Sequence, residues 1–194
     1  ALSHRCNMED PGTAVLFGYG AGAVICTAYE GANADSSALF GGGIIDVSLG
    51  SDASKADLLH ISGGYSASPY KLGDTVGPDY FIRMQGGAVF KQAVRNMTNQ
   101  CNLLLERNGL LPEDIDVFIP HQANLRIIEA VGSRLGIEPD RVFLNVQKYG
   151  NTSAASIPIA LGEAVQSGFI QKGHRVMVTS FGGGLTYGAA LLQF

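Results

Sequence analysis

Along this chain the apolar positions switch repeatedly between the alternating pattern of a strand and the roughly 3.6-residue period of a helix. Residues 13–18 (TAVLFG) and 21–29 (AGAVICTAY) are β-rich runs joined by Gly18-Tyr19-Gly20, and they read as a hairpin. Residues 30–77 are rich in Gly, Ser, Asp and Ala, with strand signals at 44–49 and 58–61. From 79 to 108 the pattern is helical: Met84, Ala88, Ala93, Met97, Cys101 and Leu104 recur at three- to five-residue steps, and Gly109 offers a stop. Gly86-Gly87 would break or kink the start of that helix. A short strand at 117–119 ends at Pro120-His121, and a helix over 123–135 turns Ile127, Ile128, Val131 and Leu135 inward before Gly136. Residues 141–146 (RVFLNV) predict another strand, followed by a turn at Tyr149-Gly150-Asn151 and a helix to about 166, stopped by Gly168. Thr152, Ser153 and Ser156 are candidate caps for it, and Pro158 suits only its first turn. Two closing β runs, 174–181 and 185–194, flank Gly182-Gly183-Gly184.

Strands that alternate with helices and then close with a hairpin predict an α/β fold on a mixed sheet, not an all-parallel doubly wound one. The 194 residues suffice for one compact unit. Hydrophobic residues make up 46% and charged residues only 15%, so part of the surface is expected to face other protein. The net charge of -4 argues against broad nucleic-acid binding. No apolar run approaches a bilayer span, and residues 1–5 (ALSHR) lack the regions of a signal peptide, which makes the cytoplasm the default expectation. Cys6, Cys26 and Cys101 are too few and too scattered for a disulfide framework. His4, His60, His121 and His174 form no ligand-spaced pair, and no metal is expected.

Chemistry concentrates near the expected strand ends. His121 and Asn151 each follow a predicted strand and precede a helix, which would put both at the carboxyl edge of one sheet, where ligands bind in open α/β sheets. Backbone N–H groups of Gly182 to Gly184 could face a developing anion at the same edge. Taken singly, each has a plainer reading. A histidine at a strand end is usually a surface or satisfied structural residue, an asparagine after glycine a turn residue, and a triple glycine a hairpin turn. Arg126, with Lys91 and Arg134, could offer a basic mouth to an acidic partner, or be solvated helix charges.

Three segments shift that balance when taken together: 120–127 (PHQANLRI), 150–156 (GNTSAAS) and 181–189 (FGGGLTYGA). In order and separation they closely resemble the signature segments of the β-ketoacyl-acyl carrier protein (ACP) synthase III family. The resemblance implies a thiolase-like half, a mixed sheet of the five-stranded type with packed helices. It assigns residues 1–30 to the end of an N-terminal half, 31–78 to a variable connecting segment and 79–194 to a C-terminal catalytic half. It implies no resident cofactor, with acyl-CoA and malonyl-ACP, a phosphopantetheine thioester, as substrates. His121 and Asn151 would donate hydrogen bonds to the malonyl thioester oxygen as carbon dioxide leaves. The N–H of Gly183 would form half of a second oxyanion hole. Lys91 and Arg126 would meet the carrier, Phe90 would sit at the acyl and pantetheine channel or else in the core, and Gly87 would lie near pantetheine. Homodimers are usual among proteins resembling this one.

Departures matter too. The family's nucleophilic cysteine sits on a small-residue turn before a buried helix, and none of the three cysteines does. An N-terminal half must therefore supply it. Tyr19 stands where the family usually has aspartate, Gly87 where members often carry a polar side chain, and residues 30–77 look long. Because the chain starts inside a recognisable segment, the expectation is an engineered, proteolysed or separately chained portion of a condensing enzyme. The rivals are a non-catalytic carrier-docking or dimerising subunit, and a secondary-metabolite acyltransferase of the same fold.

Overall fold

The computed structural model describes residues 2–28 and 42–194. Tyr29 and the first part of the glycine-rich stretch, 30–41, lie outside the described residues.

Strand β4 (Val117–Pro120) is buried along its whole length. A continuous apolar run without alternation is what a strand covered on both faces requires. Strand β4 pairs in parallel with β5 (Arg175–Gly182), Val117 opposite Val176 and Pro120 opposite Thr179. Strand β5 turns back into β6 (Thr186–Gln193), and β6 pairs antiparallel with β1 (Gly43–Ser51), giving the order β1-β6-β5-β4. A single parallel bridge from Phe118 to Val142 marks a fifth position beside β4. The mixed sheet is as expected, and β1 draws part of the anticipated connecting segment into it.

Helix α1 (Gly86–Asn108) packs with α2 (Leu125–Leu135) on one face, around Met97, Leu104, Phe118 and Met177. Helix α4 (Ser156–Gln166) covers the other, where Ala160 and Ala164 meet Val117, Ile119 and Val176. Alternate residues of β4 thus feed opposite cores, and their period-2 geometry fixes which helix each one meets. Glycines in the left-handed conformation end α1 at Gly109 and α2 at Gly136.

Four expectations need correction. The helix predicted from 79 begins only at Gly86; before it come a 3-10 turn at Pro78–Tyr80 and a ribbon of β2 (Leu59–His60) with β3 (Arg83–Met84). The strand predicted over 141–146 is reduced to the bridge at Val142, followed by the short helix α3 (Val146–Tyr149). The N–H groups of Asn145 and Val146 go to the side-chain oxygen of Gln122, not to a neighbouring strand. No hairpin forms over the described residues 13–28: Phe17 makes one bridge, to Asn151, and the segment lies along the start of α4. Its glycines serve close approach, since a Cβ on Gly18 would stand 1.8 Å from the Tyr149 carbonyl oxygen and one on Gly20 2.6 Å from Ile159. Finally, none of Thr152, Ser153 and Ser156 caps α4 through its side chain: the N-cap position is Ala155.

Candidate active site

The carboxyl end of β4 opens onto a cavity of about 960 Å³ whose lining comes from widely separated segments. His121, Asn151 and Gly183 all line it. So do Gly87, Phe90 and Lys91 from α1 and Arg126 from α2, so the cavity gathers every residue singled out for a binding or catalytic role from the three motifs and α1. Arg134, further along α2, is not in the lining. At the rim the Arg126 guanidinium stands 5.7 Å from the Phe90 ring centroid, so the cation and the ring share one wall.

His121 continues the β4 ladder by one residue, its N–H donating to the Thr179 carbonyl at 2.7 Å while its own carbonyl accepts from Ala123 at 2.8 Å. Only 9% of the residue is exposed. Its Nδ1 lies 2.6 Å from the Ser156 hydroxyl, and among the described residues Nε2 has no hydrogen-bond partner. Burial lowers its pKa from the ordinary 6.5 to about 4, because a charged ring would be desolvated. At neutral pH the ring is therefore uncharged, a hydrogen-bond donor rather than an acid.

Asn151 reaches the cavity by a different route from the one expected: it follows α3 and Gly150, not a strand. Its backbone is held from both sides by the N-terminal segment, its N–H donating to Leu16 and its carbonyl accepting from Gly18, each at 2.9 Å. Gly150 adopts φ 67°, ψ -161°, a conformation essentially confined to glycine. The side-chain oxygen of Asn151 accepts from the Ser153 N–H at 2.9 Å, which orients the amide and leaves its NH₂ without a partner among the described residues.

Gln122 was missed by sequence reasoning as a working residue. It is 1% exposed, and its amide donates to the carbonyls of Pro120 and Phe143 while its oxygen accepts from Asn145 and Val146. That one side chain ties the His121 loop to the segment leading into Asn151. Glu163 holds the segment leading into Asn151 against α4, accepting from Lys148, Tyr149 and Asn145; with Lys148 foremost, these bonds lower its pKa to about 2. From the sequence, Ser156 reads only as a candidate cap.

No cysteine lines the cavity. Cys6 and Cys101 are buried, and burial raises both thiols, Cys101 to about 12, which keeps them protonated and poorly nucleophilic. Cys26 is exposed. Among the described residues no group of His, Cys, Asp or Glu comes together that could hold a metal ion, and no helix is long and apolar enough to cross a membrane.

His121, Asn151 and the Gly182-Gly183 turn thus line one cavity. The family model for the C-terminal part of 3-oxoacyl-ACP synthase III matches residues 105–194. Residues 105–194 thus match the synthase III C-terminal domain. The β-ketoacyl-ACP synthase III of Nitratidesulfovibrio vulgaris strain DP4 is 57% identical over 195 residues, covering 100% of this chain and 57% of that protein. The solved 3-oxoacyl-ACP synthase III of Aquifex aeolicus VF5 superposes with TM-score 0.83 at 42% identity, covering 100% of this chain and 55% of that one. The synthase III structure from Thermus thermophilus gives 0.78 at 41%, with 100% and 56% covered. The chain thus spans little more than half the length of these synthase III relatives, and its thiolase-like α/β fold is theirs.

Proposed function

We propose that the protein containing this synthase III domain is a decarboxylating condensing enzyme of fatty acid biosynthesis that joins an acyl-CoA to malonyl-ACP, and that this chain supplies the enolate-stabilising half of the site. The observation that carries the reading is the meeting of an uncharged His121 and an oriented Asn151 amide at one cavity.

In the reaction, a cysteine thiolate from an N-terminal half takes the acyl group from acyl-CoA and releases CoA. The bond between the malonyl methylene and its carboxylate then breaks, carbon dioxide departs, and the electron pair passes into the thioester as an enolate. His121 Nε2–H and the Asn151 NH₂ donate to that oxygen. Their bonds strengthen as its charge grows, which is selective stabilisation of the transition state. The enolate carbon attacks the acyl thioester, the Gly183 N–H helps to hold the second oxyanion, and the cysteine thiolate leaves. A resident cofactor has no step here; CoA and phosphopantetheine thioesters are substrates.

Lys91 and Arg126 at the cavity would receive the acidic carrier or its phosphate, and Phe90 and Gly87 would line the pantetheine path. The site would work in a cytoplasmic homodimer. The test is the complete protein with acyl-CoA and labelled malonyl-ACP. Carbon dioxide and 3-oxoacyl-ACP should appear in equal amounts, and the absence of both would contradict the reading, leaving a non-catalytic docking subunit. Condensation only with a specialised acyl donor would indicate the secondary-metabolite reading.

A further inference from the structure

We infer that Ser156 is a positioning residue for His121, its hydroxyl donating to Nδ1 and so holding the ring in the tautomer that carries its proton on Nε2, facing the cavity. The inference rests on the donor role proposed for His121 and extends it to the group that makes that role possible.

The contact joins residues 35 positions apart, at 2.6 Å, with Ser156 2% exposed and His121 9% exposed. Its direction follows from the surroundings of the hydroxyl. The Gln122 N–H points at the Ser156 oxygen from 3.4 Å, so one lone pair already faces a donor. Among the described residues Nδ1 is the acceptor available to the Ser156 hydrogen. Were Nδ1 protonated instead, the serine oxygen would receive two donors and its hydrogen would be buried without a partner, an arrangement proteins avoid. That alternative would also turn a bare Nε2 lone pair toward the thioester oxygen, where repulsion would replace stabilisation.

The fold leaves Ser156 free for this. As the first residue of α4 it follows the N-cap, Ala155, and its hydroxyl makes no capping bond to the helix backbone. Helix α4 is fixed to the sheet by Ala160 and Ala164, both 0% exposed. The hydroxyl is therefore presented from a rigid element, and the ring it orients is anchored independently through the His121 N–H to Thr179. A ring held at its backbone and at one nitrogen has a single donor left to offer.

The test uses the complete protein labelled with ¹⁵N-histidine, in wild type, Ser156→Ala and Ser156→Thr. Nitrogen-15 NMR should show wild-type His121 as a single species, Nε2 protonated and Nδ1 bare. Ser156→Ala should show both tautomers in exchange, and Ser156→Thr should keep the wild-type pattern. In the malonyl-ACP decarboxylation assay Ser156→Ala should lose at least about tenfold in kcat, with KM and transfer of the acyl group from acyl-CoA nearly unchanged. A wild-type ring protonated on Nδ1, or an unchanged single tautomer in Ser156→Ala, overturns the inference, and the wild-type spectrum decides even if Ser156→Ala fails to fold. If the wild type releases no carbon dioxide while the tautomer pattern follows Ser156, the proposed reaction falls and the positioning role stands.

Discussion

Keeping the His121 ring uncharged has a consequence for stability as well as for chemistry. Its pKa is about 4 in the folded protein against an ordinary 6.5, so between those values the unfolded chain binds a proton that the folded one does not. The stability this group contributes is complete above pH 6.5 and is lost as pH falls toward 4, by on the order of 3 kcal/mol. Denaturant melts at pH 7 and pH 4.5 should therefore show a gap that narrows by roughly 2 kcal/mol in His121→Gln. An unchanged gap would mean the ring titrates normally. The identity of this residue was legible from the sequence, but its protonation was not, because the burial that sets it comes from segments remote in the chain.

Elements with a clean period were read correctly: β4 from its unbroken apolar run, α2 from its inward stripe and glycine stop, β5 and β6 from the runs flanking the triple glycine. Where reading failed, a side chain or a close approach had replaced the expected backbone partner. Residues 141–146 have strand composition, yet Gln122 takes the N–H groups of Asn145 and Val146. Gln122→Leu leaves those groups and two carbonyls unpaired, so it should lower stability by at least about 2 kcal/mol in a urea melt. It should lower decarboxylation as well, because it joins both donor loops. At 18–20 the glycines predicted a turn, while their use is to let the N-terminal segment lie against Tyr149 and α4. Gly18→Ala would drive a methyl group onto the Tyr149 carbonyl and displace the backbone that holds Asn151. It should reduce carbon dioxide release far more than it reduces binding of the acyl-CoA donor, measured by isothermal titration; equal losses would argue that the segment does not position Asn151.

Across the whole molecule, the α/β fold on a mixed sheet was legible from the alternation of strand and helix patterns. The three motifs and the family resemblance they carry named seven residues that the chain folds around one cavity, although the expected route to Asn151 through a strand was wrong. The sequence also indicated that no local cysteine is set up as a nucleophile, and burial supplies the reason for two of the three. Iodoacetamide should accordingly modify Cys26 in the native chain and reach Cys101 only after unfolding, as read by intact mass. If His121 and Asn151 act on one developing oxyanion, the two half-reactions of the complete protein should separate in His121→Ala and Asn151→Ala. Each variant should lose about 100- to 1,000-fold in carbon dioxide release from malonyl-ACP while acylation by acyl-CoA proceeds at close to the wild-type rate. Undiminished carbon dioxide release in either variant would contradict their action on one oxyanion.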